Sequence, residues 1–185
     1  MKQTKISFNL DGLEDIKKQV GNTYRTRVGI IGNKAAQNHL LENRGYKENR
    51  THKTSTISNS ELGLIQMFGS ITNGIPPRDF LLMPLITKHR EIIQAFGSGS
   101  IRDAFARGDY KKMFVLLGIK AEEIVQNAFE TGGFGQWAPN ETATINRKGS
   151  SSPLIDTGQL RRAVTSDVVS NSSTPQVGNN PRVQP

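Results

Sequence analysis

A broad apolar stripe between positions 110 and 129 constrains the fold of this chain more than any other feature. Its members recur at the 3.6-residue spacing of an α-helix: Met113, Phe114, Leu117, Ile124, Val125, Ala128 and Phe129. Gly108-Asp109 ends a preceding segment and offers an N-cap, so the pattern predicts a helix from Tyr110 to Phe129. Gly118, inside the stripe, predicts either a bend or the close approach of another backbone.

Three segments have the composition of β-strands. Ile6 to Leu10 alternates apolar and polar residues, and Tyr24 to Ile31 carries β-branched residues with alternating arginines. Ala163 to Val169 is also rich in β-branched residues. With helices expected at 82–96 and 110–130, these segments predict an α+β fold in which a small antiparallel or mixed sheet is packed by two longer helices.

Shorter helices are predicted from apolar periodicity and capping residues. They are Gly12 to Val20 ending at Gly21-Asn22, Glu61 to Phe68 capped by Ser60, Phe80 to Phe96 with Pro84 near its start, and Ile101 to Arg107. The Gly97 to Ser100 run predicts a flexible break between the last two. Arg78 beside Asp79 predicts a local charge pair. Glu122 and Glu123 are adjacent, and adjacent helical residues point about 100° apart, so the two carboxylates do not converge on one substrate atom. They are therefore predicted to be surface charges.

Polar segments define the expected domain organisation. Residues 33–58 carry few apolar side chains and predict a long polar loop insertion, with a helical turn at Ala35 to Leu41. Residues 170–185 are mostly Ser, Asn, Pro, Gly and Gln and predict a flexible C-terminal arm. We therefore expect one α+β domain over 1–169 with extended termini.

The net charge of +8 is concentrated in the first third of the chain, where eleven Lys and Arg face five Asp and Glu over residues 1–56. Such an excess predicts contact with DNA phosphates, with an acidic neighbouring subunit, or with solvent alone. The candidate interface or channel residues are Arg25, Arg27, Lys34, Arg44, Lys47, Arg50 and Lys53.

Few residues suggest bound cofactors or metals. The chain has no cysteine, which excludes disulfides and cysteine-bearing zinc sites. His39 and His52 have no recognised ligand spacing, and no stretch approaches the ~20 apolar residues of a membrane span. We expect no cofactor, no metal and no membrane contact.

The stretch from Gly132 to Val169 holds the only tryptophan in a setting of glycine and proline, where a helix is not expected. Phe134, Trp137 and Leu154 are predicted to anchor it. A basic turn at Arg147 to Gly149 follows. Asp156 or Thr157 then predicts a capped helical turn over Gly158 to Arg162. This composition favours a segment that holds a shape over one that carries out a reaction.

Two patches of the sequence resemble a known family. One comprises Trp137-x-Pro139, the Thr144 to Ser150 turn and the run Leu154-Ile155-Asp156-Thr157-Gly158-Gln159-Leu160-Arg161; the other comprises Phe68-Gly69, Pro76 and Arg78-x-Phe80-Leu81. Together they resemble the virion-morphogenesis proteins of tailed bacteriophages, namely the tail-completion, neck and tail-terminator-like proteins. The resemblance covers roughly residues 24–169, and the family more often has a second proline where this chain has Asp79.

The resemblance implies a structural virion protein at the head-tail neck or the tail end. Its expected partners are copies of itself in a hexameric ring, other phage neck and tail proteins, and genomic DNA in passing. Its expected location is the virion, with the host cytoplasm during assembly. The family brings no catalytic residues, so we expect no enzyme activity.

Two alternatives remain at this point. The basic N-terminal third is compatible with a DNA-binding module. Asp156-Thr157-Gly158 is also the aspartic-protease triplet, but it occurs once and is followed by Gln-Leu-Arg-Arg, which suits the start of a helix.

Overall fold

The computed structural model describes residue 20 and residues 23–42, 52–155 and 158–170. These residues form four strands, β1 (Tyr24–Ile30), β2 (Asn38–Glu42), β3 (His52–Ser58) and β4 (Val164–Ser170). They also form eight helices: α1 (Asn33–Ala36), α2 (Asn59–Phe68), α3 (Leu82–Thr87), α4 (His89–Ala95), α5 (Gly99–Ala106), α6 (Tyr110–Thr131), α7 (Thr142–Lys148) and α8 (Gln159–Ala163). The predictions for the strand at 6–10, for most of the helix at 12–20, for Arg44, Lys47, Arg50, Asp156 and Thr157, and for the arm after Ser170 lie outside the described residues.

The α+β class with a small antiparallel sheet is confirmed. β1 and β4 pair antiparallel along their full lengths, from Tyr24 opposite Ser170 to Ile30 opposite Val164. Their β-branched residues predicted both strands to within about one residue. In the described part of the chain, neither strand has a second neighbour.

The long helix α6 lies against this sheet through Gly118. A Cβ added to Gly118 would stand 2.7 Å from Ser166 Oγ and 3.1 Å from Thr26 Cγ2. The Thr26 hydroxyl donates a 2.7 Å hydrogen bond to the carbonyl of Phe114, one helical turn earlier. What approaches Gly118 closely is therefore the side chains of Ser166 and Thr26 on the two strands, and not a backbone as one of the two predictions had it.

The adjacent glutamates of α6 have different roles. The Glu122 carboxylate accepts hydrogen bonds from the Ser166 amide and the Thr165 hydroxyl, so it joins the helix to β4. Glu123 pairs with Lys120 at 3.0 Å on the exposed face. Surface charge was therefore the wrong interpretation for Glu122, although the two carboxylates do diverge.

The core has two parts along α6. The first joins the sheet, α6, α8 and the loops, and consists of Phe80, Val125, Ala128, Phe129, Trp137, Leu160 and Val164. The second lies between α5 and α6 and consists of Ile101, Ala104, Met113 and Leu117. In the first, the Phe129 ring centroid lies 5.4 Å from that of Phe80 and 5.7 Å from that of Trp137, the latter edge to face.

The predicted helix at 80–96 is two helices. α3 and α4 are separated at Lys88, whose ψ of 17° departs from helical geometry. The following helix begins at Gly99, so the flexible break predicted at 97–100 is shorter than expected.

Ser58, not Ser60, caps α2. Its side chain accepts from the Glu61 amide and its own amide donates to the Glu61 carboxylate, which together form a capping box. These hydrogen bonds hold the pKa of Glu61 below its ordinary value. Ser60 instead donates to the carbonyl of Ala35.

The predicted polar loop at 33–58 is wrong over its described part. β2 and β3 pair antiparallel, with Leu40 opposite Thr54 and Glu42 opposite His52. The helical turn expected at Ala35 to Leu41 is confined to α1, and the chain is already extended at Asn38. Backbone pairing needs no apolar side chains, which explains why a polar composition concealed the hairpin.

The basic turn predicted at Arg147 to Gly149 is the end of a helix. α7 runs to Lys148 and stops at Gly149, which adopts a left-handed φ of 67°. Lys148 is buried and donates to the carbonyl of Ser152, at 3.0 Å.

Candidate functional site

Arg78 is buried, with 6% of its surface exposed. Its Nε donates to the carbonyl of Ala138 at 2.8 Å, and its Nη2 donates to the carbonyl of Pro139 at 3.1 Å and to Asn140 Oδ1 at 3.4 Å. Removal from water lowers the pKa of Arg78. The predicted charge pair with Asp79 is wrong, because Arg78 binds backbone oxygens about 60 positions further along the chain.

Asp79 points the other way and begins α3. Its carboxylate accepts from the amides of Leu81, Leu82 and Met83, which otherwise lack helical partners. The Asp79 carbonyl accepts a 3.1 Å hydrogen bond from Trp137 Nε1. We call Arg78, Asp79 and residues 137–140 the motif junction, since they join the two patches that carry the family resemblance.

Glycines allow the chain to turn tightly on both sides of the motif junction. Gly69 has a φ of 76°, and a Cβ there would stand 2.7 Å from the Ile75 carbonyl oxygen and 2.8 Å from Pro77 N. Gly133 has a φ of 67° and lies directly against the Trp137 ring. Larger residues would both strain the backbone and collide, which accounts for the Phe-Gly and Gly-Gly pairs in the sequence.

The end of the long motif run secures α8. Gly158 adopts a left-handed φ of 72° at the N-cap, and Leu160 is buried in the core. Arg161 Nε donates to Gln126 Oε1 at 2.7 Å, and its Nη2 pairs with Glu130 at 2.5 Å. The helical turn predicted at Gly158 to Arg162 is thus confirmed in essence, although its predicted caps lie outside the described residues.

A buried amide pair was missed by the sequence analysis. Gln159 Nε2 donates to Asn59 Oδ1 and to the carbonyl of Asn38, both at 3.0 Å. Asn59, which is 1% exposed, donates in turn to the carbonyl of Lys34. These bonds attach the base of the hairpin to α2 and α8, and their separation of about 100 residues leaves no local signal.

An open groove of about 840 Å³ lies beside the motif junction. Its walls come from α2, the turn before Arg78, the segment after Trp137, α7 and the start of α8. The lining residues are Leu62, Gln66, Asn73, Gly74, Ile75, Pro76, Arg78, Ala138, Pro139, Asn140, Glu141, Thr144, Lys148, Leu154, Gly158, Gln159 and Leu160.

The residues of the two motif patches differ in whether they lie in the core. Phe80, Trp137 and Leu160 are core residues, and Phe134 and Leu154 pack against that core, so the predicted anchors are confirmed. Phe68, the last residue of the predicted helix, is 71% exposed, so its ring is not part of the core. It lies on the outer face of α2, opposite the side on which Leu62 and Met67 pack.

Arg25 and Arg27 share the exposed face of β1, and the described basic candidates have different partners. Arg27 pairs with Asp167, its cross-strand neighbour, through hydrogen bonds of 2.9 and 2.5 Å, which lower the pKa of Asp167 and raise that of Arg27. Lys34 donates to the carbonyl of Arg162 at 3.0 Å, and Arg25 is exposed on β1. For Lys53 only the backbone is described, as part of β3.

Several large apolar side chains face outward. Leu64, Phe68 and Ile71 lie on the outer side of α2 and in the turn after it, and Leu82, Ile86 and Ile93 lie on α3 and α4. Exposed apolar side chains on adjoining elements are typical of surfaces that contact other proteins.

No group of three or more His, Asp or Glu able to hold a metal ion occurs within the described ranges. No helix in that part of the chain combines the length and the apolar character needed to cross a membrane. His89 is exposed, and its Nδ1 lies 2.8 Å from the carbonyl of Ile86.

Comparison of the chain with protein-family models, with curated proteins and with solved structures gave no match.

Proposed function

We propose that this chain is a structural virion protein of a tailed bacteriophage, acting as a ring-forming subunit that joins tail to head at the neck or tail end. The observation that carries the proposal is the motif junction. The two sequence patches that resemble the tail-completion and terminator-like proteins lie 60 residues apart, yet Arg78 and Trp137 bond them to each other. The residues that carry the resemblance are thus also residues that hold this fold together.

The surface of the chain supports self-association. β1 and β4 each present an outer edge without a further strand among the described residues, and open edges are templates for strand addition. The outward apolar side chains on α2, α3 and α4 offer further contact area. A closed ring needs two different surfaces that fit each other, and the chain offers both edges and apolar faces.

The alternative, a DNA-binding module, has less support. A phosphate-binding surface needs available cations, whereas Arg27 is paired with Asp167 and Lys34 is bound to a carbonyl. Among the three basic candidates whose side chains the structure describes, namely Arg25, Arg27 and Lys34, only Arg25 has no hydrogen bond or ion pair. The proposal puts the protein in the virion, and in the host cytoplasm during assembly, with other neck and tail proteins as partners and any DNA contact as transient.

A ring-forming subunit and a DNA-binding module give different results in solution. The full chain, studied by size-exclusion chromatography with light scattering, is expected to give a discrete particle several times the 20.4 kDa monomer mass. In parallel, fluorescence anisotropy measures binding to a duplex DNA at 50 and 200 mM salt. A monomer at every concentration that binds DNA tightly, and loses about a thousandfold in affinity between these salts, would contradict the ring and establish the DNA module.

A pair of variants that each remove one positive charge controls the DNA experiment. Arg25→Gln removes the exposed cation on β1, and Lys111→Gln removes an exposed cation on α6, outside the basic third. Without a DNA site in the N-terminal third, the two variants alter DNA binding equally. A selective loss with Arg25→Gln would assign DNA binding to the N-terminal third.

A further inference from the structure

Helices α3 and α4 are apolar on both sides. Their inner side chains, such as Met83 and Leu85 on α3 and Ile92 on α4, pack against the two parts of the core. A further set of large apolar side chains is exposed, and we call it the outer seam: Leu82, Ile86, Ile93 and Phe96. A surface helix usually has one polar side, whereas a helix that is apolar all round is typical of a buried element. The outer side of α3 and α4 thus has the composition of a covered surface.

The outer seam has the spacing of a helix that packs against another helix. With His89 in the middle, its positions follow one another at four, three, four and three residues. This alternation keeps side chains on the one side of a helix that faces a partner helix. The helical path continues through the break at Lys88, because its amide donates to the Pro84 carbonyl at 2.9 Å and its carbonyl accepts from the Ile92 amide at 3.4 Å. The spacing therefore indicates a helix as the occupant.

A second apolar surface lies on α2 and in the turn after it. It consists of Leu64, Phe68 and Ile71, which we call the α2 patch, and these residues follow one another at four and then three residues. The turn that carries Ile71 is fixed, because Ser70 and Ile75 exchange two backbone hydrogen bonds of 2.8 and 2.9 Å. An apolar side chain on a fixed turn loses little conformational freedom when a partner covers it.

The two surfaces are large enough for a specific contact. Each residue of the outer seam is 47% to 62% exposed, and each residue of the α2 patch is 57% to 102% exposed. Together these residues expose about 900 Å² of mostly apolar surface, which at the usual apolar share of an interface corresponds to a total of about 1,500 Å². Stable protein–protein interfaces typically bury about 1,200–2,000 Å².

Charge favours a contact between the two surfaces over a contact of either with itself. Glu61 is the one charged residue of α2. On α3, α4 and the residue between them, Lys88 and Arg90 outnumber Glu91. Two outer seams would bring together surfaces of like net charge, whereas the outer seam and α2 have opposite net charges.

We propose that the outer seam of one copy of this chain packs against α2 of the next copy, with Ile71 of the α2 patch inserted between the apolar side chains of the seam. This inference rests on the proposed ring and names the two surfaces that each subunit uses. The contact is head to tail, so each copy meets a different neighbour through each surface. A closed ring of more than two copies requires this arrangement.

Two single variants disable the surfaces one at a time. Ile93→Asp changes the outer seam and Ile71→Asp changes the α2 patch, and both side chains are exposed, so the urea unfolding midpoint should stay the same. In the contact each new carboxylate would be buried without a partner, and we expect it to weaken association about a hundredfold. Ile119→Asp is the matched control, because Ile119 is an exposed isoleucine on α6 outside both surfaces, and it should assemble like the unchanged chain.

A mixture of the two variants tests the head-to-tail arrangement. The Ile71→Asp chain keeps its outer seam and the Ile93→Asp chain keeps its α2 patch, so an equimolar mixture should form one pair and stop. Light scattering at about 0.1 mM, where a contact of micromolar Kd is saturated, should give twice the 20.4 kDa monomer mass. Rings formed by Ile71→Asp alone would indicate a contact between two seams and would overturn the proposal. A mixture that stays monomeric, or a loss of assembly in Ile119→Asp as well, would also overturn it.

The unchanged chain distinguishes a failure of these surfaces from a failure of the ring. If the unchanged chain and both variants form rings, the ring stands and the two surfaces are wrong. If the unchanged chain stays monomeric, both proposals are wrong. A monomer that floats with phosphatidylcholine vesicles, and no longer does so after Ile93→Asp, would instead assign the outer seam to a lipid surface.

Discussion

The motif junction and the basic N-terminal strand both contain arginines that attract attention in the sequence, yet the structure uses them in opposite ways. Arg78 is buried, binds carbonyl and amide oxygens, and holds two distant segments together. Arg27 is exposed and pairs with Asp167 on the neighbouring strand. The acceptor and its surroundings, and not the count of positive charges, decide which arginine the fold depends on. Buried hydrogen bonds are expensive to lose, whereas exposed ion pairs contribute little.

The largest effect should come from the aromatic centre of the motif junction. Trp137→Ala removes a buried ring, its edge-to-face contact with Phe129 and the hydrogen bond to Asp79. We expect a loss of about 3–5 kcal/mol in the free energy of unfolding, measured by urea denaturation. Phe68→Ala is the matched control because its ring is exposed, and a change beyond about 0.5 kcal/mol there would show that Phe68 is part of the fold after all.

The two arginines test the comparison directly. Arg78→Lys keeps the charge but loses the fork that serves three oxygens, and we expect it to cost about 2 kcal/mol in unfolding free energy. Arg27→Lys keeps a charge opposite Asp167 and should leave the unfolding midpoint unchanged. If the two substitutions have equal effects, the contrast between the two regions is wrong.

Two glycines in helices separate the cost of a close contact from the gain in helix propensity, because only Gly118 has neighbours within 4 Å and Gly99 has none. In Gly118→Ala the new methyl meets Ser166 and Thr26 of the sheet, so we expect net destabilisation of about 1–2 kcal/mol despite the better helix propensity of alanine. Gly99→Ala has no neighbour within 4 Å and should be neutral or slightly stabilising. Thermal unfolding of both variants measures the difference. A stabilised Gly118→Ala protein would place α6 further from the sheet than the structure has it.

The smallest effect concerns how the stabilisation by the exposed Arg27–Asp167 ion pair depends on pH. Arg27 holds the pKa of Asp167 below its ordinary value, so the folded state binds a proton there less readily than the unfolded chain. The stabilisation is therefore complete above the unfolded pKa of about 3.9 and is lost as pH falls through the lower folded value. Arg27→Gln should raise the Asp167 pKa in an NMR titration and flatten this part of the acid-unfolding profile. An unchanged Asp167 pKa would mean that the pair does not form in solution.

The elements with regular patterns could be predicted from the sequence. β1, β4 and α6 follow from β-branched composition and 3.6-residue periodicity, since each packs one face against the core. Ser58, Asn59 and Ser60 are all capable caps, but Ser58 alone stands three residues before Glu61, and this capping-box spacing is the signal that could have identified it. No glycine or proline adjoins Lys88, so the sequence gives no signal for the separation of α3 from α4.

The candidate site was predictable only in part. The motif patches identified Arg78 and Trp137, but neighbouring charges suggested an Arg78–Asp79 pair that the backbone prevents by sending the two side chains in different directions. Gln159 and Asn59 find each other across 100 positions, and nothing in either local segment indicates that contact. Long-range hydrogen bonds depend on the finished fold, so a single sequence gives little warning of them.

Negative-stain electron microscopy of the purified full chain tests the central claim most directly. The account predicts closed rings of one size and one rotational symmetry, assembled from copies of this chain with the motif junction inside each subunit. Isolated single subunits at micromolar concentration, where an association free energy of about −8 kcal/mol already holds copies together, would contradict it.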